Sequence, residues 1–412
     1  TSVTDSRIEF CNKEGEEGKA ISVVQAPGPL LFRNNYIAAG SINMLFGGDY
    51  VRVEGLVNGD NGGIRIEGNH FTRPLSVKYS SGTGGAGAPM GSCSDGAKYL
   101  NISDGQWDLC TGTSWGTGPA CANGEYFRRT DVTQNCGSGA CWQCNGSALF
   151  ESSSVYRGAG YFTKNLFEIK SAKDVVIHGN IFENNWVNGD QSGVAIWVTS
   201  LVSQYNADGW VRGENILFAD NIIRNSSQGI RLSTEGGTTF GERNRRTAIR
   251  NNLIYKIGST DYPSINSNDS RPLSFAGPCD DCSLEHNTVV SGTTGGTGMY
   301  FDTAAFLRPR FADSIIYRNL YGILGDLGLP ISDYWGTGNI INTVAVDNLS
   351  EGTGSFGAYA TNGKYISTAT TLFTGGGDYR LQGTSPYSAA CSSGCDFTGT
   401  DGCTTRTCGM VA

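Results

Sequence analysis

No apolar run in this sequence approaches the length needed to cross a bilayer as a helix, so a membrane span of that kind is excluded. Basic residues are few and scattered, apart from Arg243, Arg245 and Arg246, and the formal net charge is −8 with a pI near 5.0. A partner that tracks phosphates, nucleic acid above all, is therefore not expected. With only three histidines, metal sites have little imidazole to draw on. Methionine is scarce and proline, at 11, is not raised, although glycine reaches 59 of 412 residues. That balance excludes a collagen-like or simply disordered chain and leaves one that turns often. No signal peptide is visible and the first residue is Thr, which reads as a mature or trimmed chain.

What is abundant is cysteine: thirteen residues, clustered at Cys93 to Cys144, at Cys279 and Cys282, and at Cys391 to Cys408. Irregular spacings of this kind staple loops in oxidising compartments, so a secreted or cell-surface protein with disulfides is expected. Two CxxC pairs, Cys141–Cys144 and Cys279–Cys282, lie too far apart on the chain to argue for zinc. The total is odd, which leaves one thiol over, and Cys11, alone in its region, is the candidate to pair with a partner outside this chain.

A pattern recurs seven times: apolar at −3, Asn at 0, apolar or aromatic at +2, centred on Asn35, Asn69, Asn180, Asn221, Asn252, Asn287 and Asn319. Outside one gap the spacing is 31 to 41 residues, the period of a solenoid. Each copy reads as two short strands around a bend, and no helical pattern separates the copies. Parallel pairing without crossover helices is achieved if the chain coils and lays each turn on the last. The expected fold is thus all-β, a right-handed parallel β-helix. The Asn has a reason: it tolerates a left-handed backbone at a tight bend, and its amide can bond to the same amide one turn away.

The runs GPLLFRNNYIAAGSINMLFGGD (28–49), IRIEGNHFTRPLS (64–76), KNLFEIKSAKDVVIHGNIFENNW (164–186) and FADNIIRNSSQGIRL (218–232) carry a family likeness. The chain resembles the right-handed parallel β-helix repeat proteins of bacteria, the broad pectate-lyase-like group, and within it a sparsely characterised branch of secreted members. The resemblance spans most of residues 20–345, and DYRLQGTSPY (378–387) is similar to the ending such proteins often have. It implies fold far more than activity, and it implies further coils upstream, with Thr1 falling inside the solenoid.

Four regions follow: N-terminal coils over 1–79, a Cys-rich insertion over 80–160 that interrupts one turn, main coils over 161–345, and a last coil with a Cys-rich cap over 346–412. The insertion shows no alternation of its own and is expected to be a loop held by disulfides and used for contacts. The tail is expected to cover the last coil.

Counting from the bend Asn shows which side chains stack. At +3 stand Glu183, Arg224 and Tyr255, and at +4 stand Asn184, Asn225 and Lys256. A polysaccharide lyase would use Arg224 or Lys256 as base, with Glu183, Asp190 or Asp220 holding calcium, whereas a hydrolase would pair Glu183 with Asp190 or Asp220. Arg243 and Trp186 are further binding candidates, and Trp197, Trp210 and Tyr205 offer faces for sugar rings. No cofactor other than that calcium is indicated. Opposite charges one turn apart are equally what any solvated sheet face contains. The preferred expectation is an extracellular structural or adhesive protein that stacks end to end with other copies, and the alternative is an enzyme acting on an acidic polysaccharide.

Overall fold

The computed structural model describes residues 1–12, 17–48 without 25 and 27, 63–75, 163–186, 192–200, 213–234, 244–259, 262, 270–291 without 278, 296–301, 308–317, 319 and 321–325, together with short strand segments elsewhere. The chain winds as a right-handed parallel β-helix with three walls. The first wall holds the strands before each bend Asn, such as Ala172–His178 and Gly213–Ala219; the second holds those after it, such as Ile181–Asn185 and Ile222–Ser226. The third wall, with eight strands, closes each coil through segments such as Val194–Thr199 and Gln228–Ser233. Eight coils therefore stand complete among the described residues, all paired in parallel register from turn to turn.

The core is the inward-facing residue of every strand. In the second wall this is the +2 position, where Ile37, Phe71, Phe182, Ile223, Ile254, Val289 and Ile316 are fully buried. Parallel strands stack at about 4.8 Å, so like residues meet face to face: the rings of Phe71 and Phe182 lie 4.7 Å apart and 5° from parallel. Alternation of strand side chains thus turns a linear pattern into axial columns.

The bend column works as a hydrogen-bond ladder. Asn180 gives its backbone N–H (2.9 Å) and its Nδ2 (3.0 Å) to Oδ1 of Asn221, which does the same to Asn252. The second hydrogen of each Nδ2 goes to a carbonyl of the preceding coil, Ile66 for Asn180 and Ile177 for Asn221. Every polar capacity of these buried amides is used, and the series runs unbroken through Asn35, Asn69, Asn180, Asn221, Asn252 and Asn287.

Two details differ from the expectation. Asn319 is outside the column: Ile315 pairs with Thr288, which makes Ser314 the bend residue of the eighth coil, and Ser314 Oγ accepts from the N–H of Asn287 at 3.1 Å. A hydroxyl can supply the acceptor that the ladder needs, so the run of amides ends without a break in bonding. Asn319 instead donates Nδ2 to Thr297 O at 3.0 Å. The left-handed backbone also belongs to the residue before the Asn rather than to the Asn itself: Asp5, Asn34, Gly68, Gly179, Asp220, Asn251, His286 and Asp313 have φ between 50° and 66°. Turn and ladder are the work of neighbours.

The excursion leaves the third coil between its second-wall strand, His70–Thr72, and its third-wall strand, Phe167–Ile169. It is not the plain loop expected. Thr83–Gly85, Lys98–Asn101, Gln106–Thr111 and Ser114–Ala120 form a four-stranded sheet, and Tyr126–Arg128, Cys141–Cys144 and Leu149–Glu151 a three-stranded antiparallel one. Cys279 and Cys282 form a disulfide inside the core, and Cys11 is free. In the tail, Val344–Val346 and Lys364–Ile366 extend the second wall. Phe373–Gly375 and Asp378–Leu381 then make a separate hairpin. The cysteines of 391–408 lie outside the described residues.

Candidate functional site

The outward residues of the second wall occupy positions +1 and +3 from the bend. At +1 the first three coils carry Arg7, Tyr36 and His70; at +3 the third to sixth carry Thr72, Glu183, Arg224 and Tyr255. The register brings these polar groups together along the axis, although they are far apart in sequence.

Their contacts form one chain. His70 Nε2 lies 2.7 Å from Glu183 Oε1, and Arg224 Nε donates to Glu183 Oε2 at 2.6 Å. Arg224 Nη1 donates to the Tyr255 hydroxyl at 2.8 Å, and the Tyr255 ring lies 5.0 Å from that of Tyr379 in the tail hairpin. At the other end His70 stands edge-on to Tyr36, centroids 5.3 Å apart, with the Arg7 guanidinium 4.6 Å from the centre of the Tyr36 ring. Alongside, Asn184 donates to Thr72 Oγ1 at 3.0 Å and accepts from the Tyr262 hydroxyl at 2.8 Å.

Electrostatics follow from this chain. The bond from His70, followed by that from Arg224, holds the Glu183 carboxyl below its usual range, although partial burial works the other way. The carboxylate is ionised, so the His70 ring nitrogen facing it is the donor. Burial also opposes the charge on Arg224, but the bonds to Tyr255 and Glu183 prevail and hold the guanidinium charged more firmly than usual. A general acid must carry a proton at working pH, and Glu183 is held without one. A general base must be unprotonated in order to take up a proton, and Arg224 is held protonated.

The pH dependence is a prediction. A carboxyl whose folded pKa is depressed contributes stability that is present above the ordinary Glu value of about 4.3 and is lost as pH falls through the lower folded value. Glu183→Gln is expected to be less stable than wild type at pH 7 and to lose less on acidification below pH 4.5, read as urea midpoints across pH; parallel curves contradict this.

The remaining candidates are not gathered here. Lys256 is exposed within the strand Leu253–Ile257, with φ 52°, where the pairing register slips between Tyr255 and Ile257 and leaves it outside the +3 column. Asp220 sits on the corner between the first and second walls, where its Oδ2 is 2.9 Å from His178 Nε2 and its Oδ1 accepts from Asn251 Nδ2. Glu183 and Asp220 thus serve separate clusters rather than flank one bond. Trp186 is 3 % exposed, packed with Tyr262 and facing the Arg73 guanidinium at 5.3 Å, so it offers no open face to a sugar. Trp197 is half-buried, its Nε1 donating to Ser233 Oγ at 2.7 Å. Asp190, Arg243, Tyr205 and Trp210 lie outside the described residues.

Beside Arg243, Arg246 reaches Glu214 and Asn215 in the turn before, and Arg308 forks onto Asp281 at 2.6 and 2.8 Å in the turn after. Arg245 pairs in register with Glu214 on one side and Asp280 on the other. This basic cluster is therefore interleaved with acids. Among the described residues no group of three His, Cys, Asp or Glu is arranged to hold a metal ion.

Counting at +3 finds Glu183, Arg224 and Tyr255 in the sequence; His70 and Tyr36 were missed because +1 was not counted, though the same arithmetic reaches them. Tyr379 has no periodic signal at all. No protein-family model matches this chain, and no curated protein matches it.

Proposed function

We propose that the chain is an extracellular structural or adhesive β-helix, a stiff bearer of the 73–166 excursion, rather than a carbohydrate-cleaving enzyme. The observation that carries this reading is the closed set of bonds along the second wall: both Glu183 oxygens are taken by His70 and Arg224, and Arg224 is held charged between Glu183 and Tyr255. Such groups bind one another instead of a reacting bond. The buried Cys279–Cys282 disulfide and the other clustered cysteines support an oxidising compartment. The pectate-lyase-like likeness supports a secreted setting in the same way.

Stacking end to end is part of the proposal. In the first coil Val3 and Ile21 are half-buried, whereas Phe32 and Met44 at the same positions of the second coil are 4 % and 0 % exposed. Such a cross-section accepts a further parallel coil from whichever chain supplies it.

The alternative, a lyase or hydrolase acting on an acidic polysaccharide with calcium, is favoured by one observation: His70 and Arg224 keep about a third of their side-chain surface exposed. The two readings part in a screen of acidic and neutral polysaccharides, with and without calcium. The expected result is unchanged chain length in every case. Cleavage that disappears in Glu183→Ala or Arg224→Ala overturns the proposal.

A further inference from the structure

The tail hairpin lies on the outer face of the second wall, where Phe373 is 7 % exposed. Its ring is 6.5 Å from Tyr317 and 5.7 Å from Tyr379, and Tyr379 covers Tyr255. The hairpin's backbone pairs only within itself: among the described residues it forms a two-stranded sheet joined to none of the three walls. A lone two-stranded hairpin is marginal in water, so the packing of Phe373 and Tyr379 on Tyr317 and Tyr255 contributes to holding this one. The walls, in contrast, are tied by continuous backbone ladders. Local opening of such a unit is far easier than loss of a coil.

We propose that this hairpin is a displaceable strap over the surface that continues the Glu183 column. Tyr255 and Tyr317 occupy the +3 position in the sixth and eighth coils, about two strand spacings or roughly 9.6 Å apart along the axis. Lifting the hairpin bares both rings, Tyr255 beside the Arg224 guanidinium and Tyr317 two coils further on, and makes one strip, charged at one end and aromatic at the other. That strip suits a partner offering flat apolar ring faces. The purpose rests on the adhesive reading; the geometry of the strap does not.

Hydrogen exchange on the full chain tests it, with a Phe373→Ala, Tyr379→Ala double variant beside the wild type. Amides of Asp378–Leu381 should exchange about 100-fold or more faster than those of Ile222–Ser226 and Leu253–Ile257. In the variant those coil strands should keep their protection, while nitration of Tyr255 and Tyr317, located by mass spectrometry, rises several-fold. Equal protection of hairpin and coils overturns the strap, as does a variant that loosens the coils. Retention on polysaccharide-coated surfaces separates the two ideas: greater retention of the variant supports the strap as a gate, and equal retention removes the gating role while adhesion stands. No retention of either protein removes the adhesive reading, and the exchange result still decides the strap.

Discussion

Asn221→Ala should lower stability by about 2–6 kcal/mol, because two buried donors lose their acceptor and each such orphan costs about 1–3 kcal/mol. Asn221 is 0 % exposed, and its Oδ1 takes the N–H and Nδ2 of Asn180 while its Nδ2 serves Ile177 O and Asn252 Oδ1. Nothing nearby can replace an amide that both gives and takes twice. Asn221→Asp keeps the shape but turns the donating end into an acceptor facing two acceptors. At neutral pH it should be at least as damaging as the alanine. Its carboxyl is disfavoured as an anion, so its folded pKa is raised, and the variant should regain stability as pH falls and a proton restores one donor. Urea midpoints by circular dichroism at pH 7 and pH 4 check both variants. A loss below about 1 kcal/mol in either would mean that the column is not what holds neighbouring coils in register.

Arg73→Ala should cost about 3–5 kcal/mol, combining a cavity with unsatisfied carbonyls. Arg73 is 1 % exposed, and burial pushes its pKa down to about 9, still leaving a cation at neutral pH. Its Nε donates to Gly40 O at 2.9 Å, its Nη atoms reach Ser41 O and Asn185 Oδ1, and a longer contact of 3.4 Å goes to Lys164 O. Arg73 follows the strand from which the excursion departs, and Lys164 precedes the strand to which it returns. The guanidinium therefore fastens the two roots of the excursion to each other and to the second coil. Lysine cannot span these acceptors with one point of donation, so Arg73→Lys should recover little. Limited proteolysis should cut residues 76–162 faster in both variants, while the main coils resist. Unchanged cleavage and an unchanged urea midpoint would contradict this role.

Much of the architecture was legible because the ladder writes a period into the sequence. An amide that must meet its own kind every turn, flanked by inward apolar residues at −3 and +2, leaves a pattern that spacing alone exposes. Asn319 matched that pattern by coincidence; the true bend of its coil, Ser314, carries the same flanks, Phe311 at −3 and Ile316 at +2, but a pattern keyed to Asn passes over a hydroxyl. The left-handed residue was credited to the Asn since both jobs fall within one dipeptide. Asp220, which the sequence offers as a candidate carboxylate, shares with Asn251, His286 and Asp313 the position before the bend, where φ is 50–57°.

The candidate site was legible to the same degree and for the same reason. Glu183, Arg224 and Tyr255 stack because they share an offset from the bend. Their meaning, however, lies in what occupies their bonds: His70 on Glu183, and Tyr379 over Tyr255. Neither a partner at a different offset nor a ring from an aperiodic tail can be found by counting along one column. Strands in the excursion stayed hidden for a related reason, since pieces such as SWGTGPA lack the alternation that marks a half-buried strand.

The most direct test of the account is through-hydrogen-bond NMR coupling from side-chain amide nitrogens in deuterated protein. The ladder predicts correlations from Nδ2 of Asn180 to the side-chain carbonyl carbon of Asn221, and from Asn221 to Asn252. Absence of these correlations, with the same Asn side-chain amides exchanging freely with solvent, would contradict both the stacking of coils and the outer-face network built on it.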